Sequence, residues 1–314
     1  MQKIKAWLER TDYKDFDIDV ASADASFRQY FRLSEAGESY ILMDSSQEKE
    51  SLDPFIDVTK RLLAVDVRAP KILAENLDEG FLVLDDFGNT NYLDVLNDQN
   101  FKILYTKAMD EILKMQKGDV EGLPLYDKAF LHLEMDLMKT WFLEQYVKLP
   151  LSGEDEKTLE DALDVISEVV LTQPQDVFVH RDYHSRNIML TPEDEIGVID
   201  YQDAMNGAIT YDLVSLLKDL YIEYPKDEVT ALALQFRDML GLEADDATFI
   251  KWFDFMGLQR HIKVLGIFAR LYLRDGKDGY LNDLPLTLKY TIETAEKYDE
   301  TKALADLLKK AVLP

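Results

Sequence analysis

Residues 176–203 read DVFVHRDYHSRNIMLTPEDEIGVIDYQD, and this stretch decides the fold. Two short apolar runs, IML at 188–190 and IGVI at 196–199, lie on either side of the polar turn TPEDE. The runs predict two short strands that carry polar side chains to one end. Three side chains with possible chemical roles occupy separate points of the stretch: Asp182, Asn187 and Asp200.

These three side chains are of the types that phosphoryl transfer requires. The reaction uses a carboxylate to orient the acceptor hydroxyl and oxygen ligands to hold Mg²⁺ on the phosphates. Because Mg²⁺ takes one or two carboxylates together with substrate phosphates, a carboxamide and a carboxylate suffice. His184 and Asp203 lie in the same stretch and are further candidates for contact with the substrate.

The composition limits the classes of protein that fit. The chain has 314 residues, which is long for one core and predicts two lobes with a cleft. Its 35 basic and 61 acidic residues give a net charge of −26, which argues against a nucleic-acid partner, because such proteins need a positive face. The chain has no cysteine, so disulfides and thiolate chemistry are excluded.

Targeting and membrane signals are weak in this sequence. The first ten residues, MQKIKAWLER, return to charge at Glu9 before the apolar core of a signal peptide develops. No later apolar run approaches the ~20 residues that a membrane-spanning helix needs. We therefore predict a soluble cytoplasmic protein with no membrane partner and no obligate protein partner.

The first 86 residues carry the pattern of a small α+β lobe. Residues 1–18 predict a helix that leads to a strand, and FRQYFRL with SYILMD, around SEAGE within 27–44, predicts a β-hairpin. Apolar spacing over 53–63 predicts a helix, and 80–84 predicts a buried strand. We place the lobe boundary between residues 86 and 87.

The remainder, 87–314, is predicted to be mostly helical. Three short strand-like runs, at 177–179, 188–190 and 196–199, interrupt it. Residues 286–314 are expected to form terminal helices. The other segments with apolar residues at helical spacing are 101–117, 128–148, 154–172, 212–223, 226–240 and 247–274.

The central stretch resembles a known superfamily. HRDYHSRN matches the H-R-D-x-x-x-x-N catalytic loop of protein-kinase-like enzymes, and IGVIDYQDA resembles the metal-binding segment of the aminoglycoside phosphotransferase and choline kinase branch. The resemblance implies an α+β, bilobal protein-kinase-like fold. Its small N-terminal lobe, 1–86, would bind nucleotide, and its larger helical lobe, 87–314, would carry catalysis and the acceptor.

Longer strings resemble one group within that branch, the anomeric amino-sugar kinases of bacterial cell-wall recycling. The strings lie at 21–33, 178–190, 197–219 and 257–285, the last reading GLQRHIKVLGIFARLYLRDGKDGYLNDLP. Those enzymes phosphorylate N-acetylmuramic acid and N-acetylglucosamine at the C1 hydroxyl. The resemblance implies ATP and Mg²⁺ as cofactors and a small amino sugar as the partner molecule.

The resemblance also implies roles for matching residues. Asp182 takes the place of the catalytic base, and Asn187 and Asp200 take the places of the metal ligands. Residues 85–88 match the hinge where family members bind adenine through backbone groups, which makes Asp85 and Phe87 candidates for nucleotide binding.

The small lobe departs from the protein-kinase pattern. Residues 21–27 contain no glycine, and the strand YILMD ends in Met43 and Asp44 where a lysine is expected. Ser26 and backbone N–H groups are candidates to hold phosphate, with Arg28 or Arg32 supplying the missing cation. The two arginines are four apart and share one face of a strand, so the sequence does not choose between them.

Several polar residues have an ordinary structural explanation. His180 is expected to anchor its loop, and His184 either contacts substrate or packs against that loop. Asp212 is expected to be a helix N-cap and, by the resemblance, to support the catalytic loop. Asp203 is either a second metal ligand or a solvated charge at a strand end.

A basic stripe on the helix at 247–274 favours one class of acceptor. At 100° per residue, its four cations share one face: Arg260, Lys263, Arg270 and Arg274. The usual explanation is a solvated face, but nearby apolar residues favour a wall of the acceptor site. An arginine fork suits the lactyl carboxylate of N-acetylmuramic acid and does not suit a polycationic aminoglycoside.

Acidic residues in the helical lobe give the contrary indication, because they suit a cationic acceptor. Glu134, Asp136 and Glu144 are spaced as in an ordinary amphipathic helix, so we give them no role.

We predict a sugar 1-kinase. The alternatives are a kinase of the same fold for an aminoglycoside, choline or homoserine, and a nucleotide-binding pseudokinase.

Overall fold

The computed structural model describes residues 1–23 and 28–312 and contains two compact units. The first unit comprises Met1–Val95 and Arg186–Ala204, and the second comprises Leu96–Ser185 and Met205–Pro314. The first unit holds the large β-sheet and the second is mainly helical, which confirms the predicted α+β class. The lobe boundary between residues 86 and 87 stays a prediction.

The sheet of the first unit is antiparallel and five-stranded. Its strands are β1 Asp17–Ala23, β2 Gln29–Glu35, β3 Glu38–Asp44, β4 Ile72–Asn76 and β5 Phe81–Asp85, in the order β1-β2-β3-β5-β4. β2 and β3 form the predicted hairpin. Its two turn residues, Ala36 and Gly37, both have positive φ, which matches the right-handed twist of the paired strands.

The sequence did not predict β1 or β4, and these are the two edge strands of the sheet. An edge strand has one neighbour and tolerates polar residues, so its apolar pattern is weak. In β1, DIDVASA, the apolar Val20 is 75% exposed. Strands are predicted from the alternating apolar residues of a buried face, and this pattern is weak in β1 and β4.

Two helices pack in the first unit: α2 agrees with the predicted helix, whereas α1 is shorter than the helix predicted within residues 1–18. Helix α1, Gln2–Leu8, buries Ile4, Trp7 and Leu8 in a core with sheet residues such as Phe31 and Leu33. Helix α2, Leu52–Ala64, has Pro54 in its first turn, where the missing N–H costs nothing. A short helix, α3 Tyr92–Val95, and a hairpin of β7, Ile188–Leu190, with β8, Ile196–Val198, complete the unit.

The second unit confirms the predicted helical segments except at 128–148 and 212–223. Its helices are α4 Phe101–Met115, α5 Lys128–Leu137, α6 Gly153–Val170, α7 Tyr211–Leu217, α8 Lys226–Leu240, α9 Asp246–Asp275, α10 Leu284–Ala295 and α11 Lys302–Val312. The segment predicted as one helix over 128–148 changes to a π-helix at Met138–Val147. Strand β6, Val177–Val179, pairs with β9, Met205–Gly207, which the sequence did not predict.

Helix α7 ends at Leu217, although the sequence predicted a helix to residue 223. The side chain of Asp219 accepts the backbone N–H of Tyr221 at 3.0 Å and that of Ser185 at 2.9 Å. An aspartate that bonds the backbone two residues on forms a local turn that competes with helix. The periodicity of apolar residues does not reveal this competition.

Helix α9 is the central element of the second unit. Its 30 residues are buried on every side from Phe253 to Gly266, which is typical of a helix surrounded by others. A Cβ on Gly266 would lie 2.3 Å from the backbone of Leu137. Glycine is therefore required where α9 meets the junction of α5 and the π-helix.

A buried carboxylate in the N-terminal half of α9, that of Asp254, predicts that the folded protein loses stability in acid. Asp254 is 3% exposed and accepts from Lys218 at 2.9 Å, Lys297 at 2.5 Å and the hydroxyl of Tyr298 at 2.8 Å. Burial opposes its ionisation, but the two lysines hold the pKa of Asp254 below its ordinary value of 3.8. Its contribution to stability is therefore present above pH ~4 and is lost as pH falls through the folded-state pKa.

We expect the difference in free energy of unfolding between the wild type and Asp254→Asn to shrink as pH falls from 7 to 3. Urea unfolding at a series of pH values measures it. A difference that stays constant over this range would contradict the assignment.

Among the described residues, none of the helices combines the length and apolarity that crossing a membrane requires.

Candidate active site

The loop that follows β6 is held by a buried carboxylate. Asp212 is 1% exposed, and its two oxygens accept the backbone N–H groups of His180 at 2.8 Å and Arg181 at 3.0 Å. Arg181 has φ of 78°, an uncommon conformation for a residue with a side chain. Asp212 thus fixes a strained backbone immediately before Asp182.

The predicted N-cap role of Asp212 is wrong. Helix α7 starts at Tyr211 with Thr210 at the N-cap, so Asp212 is the second helical residue and its carboxylate points to the loop. The support of the loop that the family resemblance implied is present in the geometry. The N-cap expectation failed because a polar residue before an apolar run marks a helix start only to within one or two residues.

His180 and His184 occupy the same loop in different ways. The ring of His180 is fully buried, and its Nδ1 accepts the backbone N–H of Asp182 at 3.2 Å, as expected for a residue that anchors the loop. The ring of His184 lies edge-on to Tyr221, and burial lowers its pKa to about 4. His184 is therefore neutral at pH 7, and its contact with substrate stays a prediction.

Asp182 stays ionised because cations lie near it. Burial would raise the pKa of Asp182, but the positive charge of Lys263, with smaller effects from His184, Arg260 and Arg181, lowers it to about 2. A carboxylate with this pKa accepts hydrogen bonds at every physiological pH. It holds a proton weakly, so it suits a role that orients a hydroxyl and takes its proton late.

The β7–β8 hairpin brings Asn187 and Asp200 together in the first unit. Ile188 pairs with Val198, so Asn187 precedes the first strand and Asp200 follows the second at the same end. Asn187 Nδ2 donates to Asp200 Oδ2 at 3.3 Å. Asp200 has φ of 64° and, like Arg181, adopts a backbone conformation that is uncommon for a residue with a side chain.

Helix α2 fixes the neighbour of Asp200. Phe55 stacks on Tyr201 with ring centroids 5.2 Å apart, and the hydroxyls of Thr59 and Tyr201 lie 2.8 Å apart in a buried hydrogen bond. Because Tyr201 is held on both its ring and its hydroxyl, the backbone at Asp200 has little freedom. No local pattern in the sequence indicates this support.

A cleft of about 440 Å³ lies within the first unit. Among its lining residues are Asn187, Asp200 and three that the sequence proposed for nucleotide binding, Arg32, Asp85 and Phe87. Phe87 packs against Gly197, where a Cβ would lie 2.4 Å from the ring. The cleft therefore collects most of the residues proposed for nucleotide and metal.

Arg32 and Arg28 have specific partners. Arg32 donates to both oxygens of Asp86, at 2.6 and 3.1 Å, and to the carbonyl of Gly88 at 3.2 Å. Arg28 is 6% exposed, and its Nε donates to the hydroxyl of Ser51 at 3.3 Å. The positive charge of Arg32 is thus largely balanced by Asp86.

The remaining small-lobe candidates are less defined. Ser26 lies outside the residues that the structure describes, and its role stays a prediction. Arg186, which the sequence pattern did not single out, also lines the cleft beside Asn187. Its place next to Asn187 in the motif is the signal that could have indicated it. Asp203 is exposed and accepts from Gln202 at 3.4 Å, and its role also stays a prediction.

The basic stripe of α9 does not form one surface. Arg260 and Lys263 are 3% and 5% exposed, so the solvated-face explanation is wrong for them. Arg274 is exposed and pairs with Asp275 at 2.7 Å. Arg270 and Arg274 lie about 15 and 21 Å along the helix from Arg260, at 1.5 Å per residue. A small sugar cannot reach the whole stripe.

Arg260 has an incomplete set of partners. In the part of the chain that the structure describes, its buried Nη1 has no hydrogen-bond acceptor, and the same is true of Arg270 Nε. A buried N–H group without an acceptor is costly, so an oxygen of a ligand or of water would stabilise Nη1 of Arg260. Arg260 is also close enough to Asp182 and His184 to influence the pKa of each.

Glu134 is buried, so the expectation that it lies on the exposed face of an amphipathic helix is wrong. It is 6% exposed and pairs with Arg181 at 2.5 Å and Lys263 at 3.2 Å. Asp136 and Glu144 are exposed, as expected of an amphipathic helix. The sequence pattern does not separate Glu134 from these neighbours, because its partners are distant in the chain.

Comparison with known proteins agrees with the fold and the motifs. Residues 17–248 match the model of the APH family, described as a phosphotransferase enzyme family. A protein of Neisseria meningitidis serogroup B, named N-acetylmuramate/N-acetylglucosamine kinase, is 40% identical over 99% of this chain and 95% of its own length.

Two solved structures share the fold at low identity. An ADP-bound aminoglycoside phosphotransferase covers 93% of this chain and 98% of its own, with a TM-score of 0.64 and 14% identity. Choline kinase from Streptococcus pneumoniae has the same coverage and TM-score with 12% identity. The predicted protein-kinase-like fold is confirmed.

The chain belongs to the APH phosphotransferase family. It is therefore a kinase that transfers a phosphoryl group to an alcohol, and membership of the family implies that it uses ATP.

Proposed function

We propose that this kinase phosphorylates the anomeric (C1) hydroxyl of N-acetylmuramic acid, N-acetylglucosamine or both, with Mg²⁺, in peptidoglycan recycling. The observation that carries the proposal is the 40% identity, over nearly the whole chain, to a kinase named for these two sugars. The ionised, cation-flanked Asp182 supports a role for this residue as the base. The soluble, cytoplasmic location expected from the sequence is consistent with this proposal.

Asp182 has the properties that a base needs to take the proton of the acceptor hydroxyl. Its carboxylate accepts a hydrogen bond from the C1 hydroxyl, and the hydroxyl oxygen attacks the γ-phosphorus of ATP. The bond from that phosphorus to the ADP oxygen breaks, ADP leaves with the electron pair, and the proton passes to Asp182. An anomeric hydroxyl is more acidic than an ordinary alcohol, because the ring oxygen withdraws electrons, so a weak base is adequate.

Asn187 and Asp200 fit a magnesium site. They supply a carboxamide oxygen and a carboxylate within one hydrogen bond of each other, and they line the cleft of the first unit. Residues 1–23 and 28–312 contain no cluster of three His, Cys, Asp or Glu side chains suited to a metal, so phosphate and water would complete the coordination. Bound Mg²⁺ would neutralise charge on the phosphates.

The nucleotide would occupy the cleft of the first unit. Asp85 and Phe87 line it where family members bind adenine through the backbone. Asp86 balances much of the charge of Arg32, so Arg32 alone offers little net positive charge to the phosphates. We therefore assign the cationic role near the phosphates to Arg186 together with Arg32, since both line the cleft.

A panel of acceptors tests the proposed function. Each acceptor is incubated with ATP and Mg²⁺, and the product is read by ³¹P NMR; the panel holds N-acetylmuramate, N-acetylglucosamine, an aminoglycoside, choline and homoserine. We expect a doublet of a sugar 1-phosphate that disappears in dilute acid. A product that is stable to acid would show that the hydroxyl is a different one, and turnover only of a cationic acceptor would refute the sugar assignment.

The arginines of α9 give a separate prediction on acceptor choice. Arg260 is buried, lacks one acceptor and lies near Asp182, so it is the best placed of the three to bind the lactyl carboxylate of muramate. Loss of a charge-assisted hydrogen bond costs about 1.5–3 kcal/mol, or roughly 10- to 100-fold. We expect Arg260→Met to raise the KM for N-acetylmuramate by this factor and the KM for N-acetylglucosamine much less.

Matched variants of the same helix calibrate this result. Arg270→Met and Arg274→Met are expected to have progressively smaller effects, because they lie about 15 and 21 Å farther along α9. Equal effects of Arg260→Met on the two sugars would exclude a carboxylate contact. A larger effect at Arg274 would move the acceptor site to the end of the helix.

A further inference from the structure

A turn at residues 86–88 forms part of one wall of the cleft in the first unit. The consecutive residues 84–89 all line this cleft. Within the turn, Asp86 Oδ1 accepts the backbone N–H of Gly88 at 2.8 Å, and Gly88 has φ of 84°. An aspartate that bonds the N–H two residues on forms an Asx-turn, and glycine adopts a positive φ without strain. The local sequence therefore favours this turn, with one hydrogen bond holding it from within.

Arg32 holds the same turn from outside. Its Nε and Nη2 donate to the two oxygens of Asp86 at 2.6 and 3.1 Å, and Nη2 also donates to the carbonyl of Gly88 at 3.2 Å. A fork of this kind fixes direction as well as distance. Burial opposes the ionisation of Asp86, but its hydrogen bonds from Arg32 and Gly88 hold its pKa below the ordinary value. We define the Arg32 clasp as Arg32, Asp86 and Gly88.

The Arg32 clasp reaches across strand β3. Arg32 belongs to β2 and pairs with Ile41 of β3, whereas Asp85, at the end of β5, pairs with Tyr40 on the other side of β3. β2 and β5 are thus two strand spacings apart, or roughly 10 Å. Arg32 and Ile41 also line the cleft. The clasp therefore ties the sheet beneath the cleft to the wall beside it.

Phe87 lies between the two residues that Arg32 holds. It is 4% exposed, and within residues 1–23 and 28–312 neither its backbone N–H nor its carbonyl has a hydrogen-bond partner. Buried backbone groups are nearly always paired, so these two groups suit a ligand in the cleft. A nucleotide base presents donors and acceptors along its edge. Because Asp86 and Gly88 flank Phe87, the clasp fixes where these two groups lie.

We propose that Arg32 is a positioning residue for the nucleoside: through Asp86 and Gly88, it holds residues 86–88 in the shape that binds the base before the nucleotide arrives. This role adds to the cationic role near the phosphates and can be separated from it, because adenosine carries no phosphate. The inference rests on the proposed place of the nucleotide in this cleft.

Adenosine binding to Arg32→Met tests the inference. Without the fork, the turn must become ordered when the base binds. Ordering the backbone of about one residue on binding lowers affinity by about tenfold, so we expect the Kd for adenosine to rise by that factor. Competition with a fluorescent ADP analogue measures it. Unchanged adenosine binding with weakened ATP binding would overturn the inference, and so would a wild type that does not bind adenosine.

Asp86→Asn tests the clasp from its other side. If Arg32 acted only as a cation, loss of the opposing charge would tighten ATP binding and leave adenosine binding unchanged. The clasp predicts weaker adenosine binding, by about three- to tenfold, because asparagine keeps only one of the two acceptor oxygens.

The double variant Arg32→Met/Asp86→Asn removes both partners together. It leaves no unpaired charge in the clasp, so it carries the test if either single variant does not fold. We expect it to bind adenosine about as tightly as Arg32→Met, since each change breaks the same contact. Losses that multiply in the double variant would overturn the inference.

Gly88→Ala disturbs the turn without changing a charge. Among the described residues, no heavy atom lies within 4 Å of a Cβ at Gly88, so only the positive φ opposes alanine. We expect adenosine affinity to fall by about three- to tenfold. Gly37→Ala is the matched control, because Gly37 has φ of 91° and equally open surroundings in the β2–β3 turn. Equal losses of adenosine affinity in the two variants would refute the positioning role.

An arginine elsewhere in the first unit supplies the second control. Arg61 on α2 donates to Asp57 at 2.7 Å. Arg61→Met therefore removes an arginine from an ion pair outside the clasp and should change the Kd for adenosine by less than about twofold. Circular dichroism establishes that each variant is folded.

Kinetics give a readout that partial unfolding would not produce. In Arg32→Met, the KM for ATP should rise by about tenfold while kcat at saturating ATP changes by less than about threefold, whereas loss of folded protein lowers kcat and leaves KM unchanged. If Arg32→Met weakens adenosine binding but the wild type phosphorylates none of the sugars, the proposed function fails and the positioning role stands. If sugars are phosphorylated and adenosine binds the variant as it binds the wild type, the positioning role fails alone.

Discussion

Replacing Asp182 with asparagine is expected to lower kcat by about 10²- to 10⁴-fold, the usual contribution of a general base. Asparagine keeps the size of the side chain and can accept one hydrogen bond, but it cannot take the proton of the acceptor hydroxyl. The cations that lower the pKa of Asp182 would also lose one nearby negative charge. Steady-state kinetics with the best acceptor of the panel measure the loss.

Nucleotide binding should survive this change. The proposed nucleotide residues line a cleft in the first unit, whereas Asp182 belongs to the second. We expect the Kd for ATP, measured by calorimetry, to change by less than about threefold. Asp110→Asn, an exposed aspartate on α4, is the matched control and should keep wild-type turnover. Wild-type kcat in Asp182→Asn would reject the base assignment.

The substitution Asp212→Asn is expected to reduce both stability and turnover. Each oxygen of Asp212 accepts one backbone N–H of the 180–185 loop. The amide of asparagine offers one acceptor and places N–H against N–H at the other site, so one buried donor loses its partner. An unpaired buried group costs about 1–3 kcal/mol, and more where a charge is involved, so we expect a loss of about 2–4 kcal/mol.

Turnover should fall further than stability explains. The two bonds hold Arg181 at a positive φ, and this backbone sets the position of Asp182. When the loop relaxes, the base moves, and a displacement of about 1 Å costs about 100-fold. Both effects are measured on one sample, by urea unfolding and by kinetics well below the melting temperature.

Asp245→Asn is the control for this experiment. Asp245 also accepts a backbone N–H, that of Thr248 at 2.7 Å, but it is an exposed N-cap of α9 where asparagine caps equally well. We expect its stability to change by less than about 0.5 kcal/mol. If Asp212→Asn resembled this control in both measurements, the loop would not depend on the carboxylate.

Much of the fold was predictable because its segments carry strong local patterns. Helix α8 begins and ends where the apolar spacing predicted, and the β2–β3 hairpin follows from two apolar runs around a glycine turn. Edge strands β1 and β4 were missed because they bury too little to leave a pattern. The early end of α7 was missed because a side chain at Asp219 competes with the helix.

The candidate site was predictable in part. The motif brought Asp182, Asn187 and Asp200 forward by residue type and spacing, and the structure joins Asn187 to Asp200 through the short hairpin. The basic stripe of α9 was predicted as one wall, but its members differ from buried to exposed. The spacing of residues in a helix gives their angle around the helix axis. It does not show which other elements pack against the helix at each position along that axis.

The sequence by itself determined the motif: a carboxylate, a carboxamide and a second carboxylate at the spacing that is typical of a phosphotransferase. The tertiary structure alone decided which charges are paired, with Glu134 on Arg181 across 47 residues and Arg32 on Asp86 across 54. Residue type and local periodicity are properties of neighbours in the chain. Ion pairing inside a fold depends on which side chains packing brings within about 3 Å, and no local pattern records that.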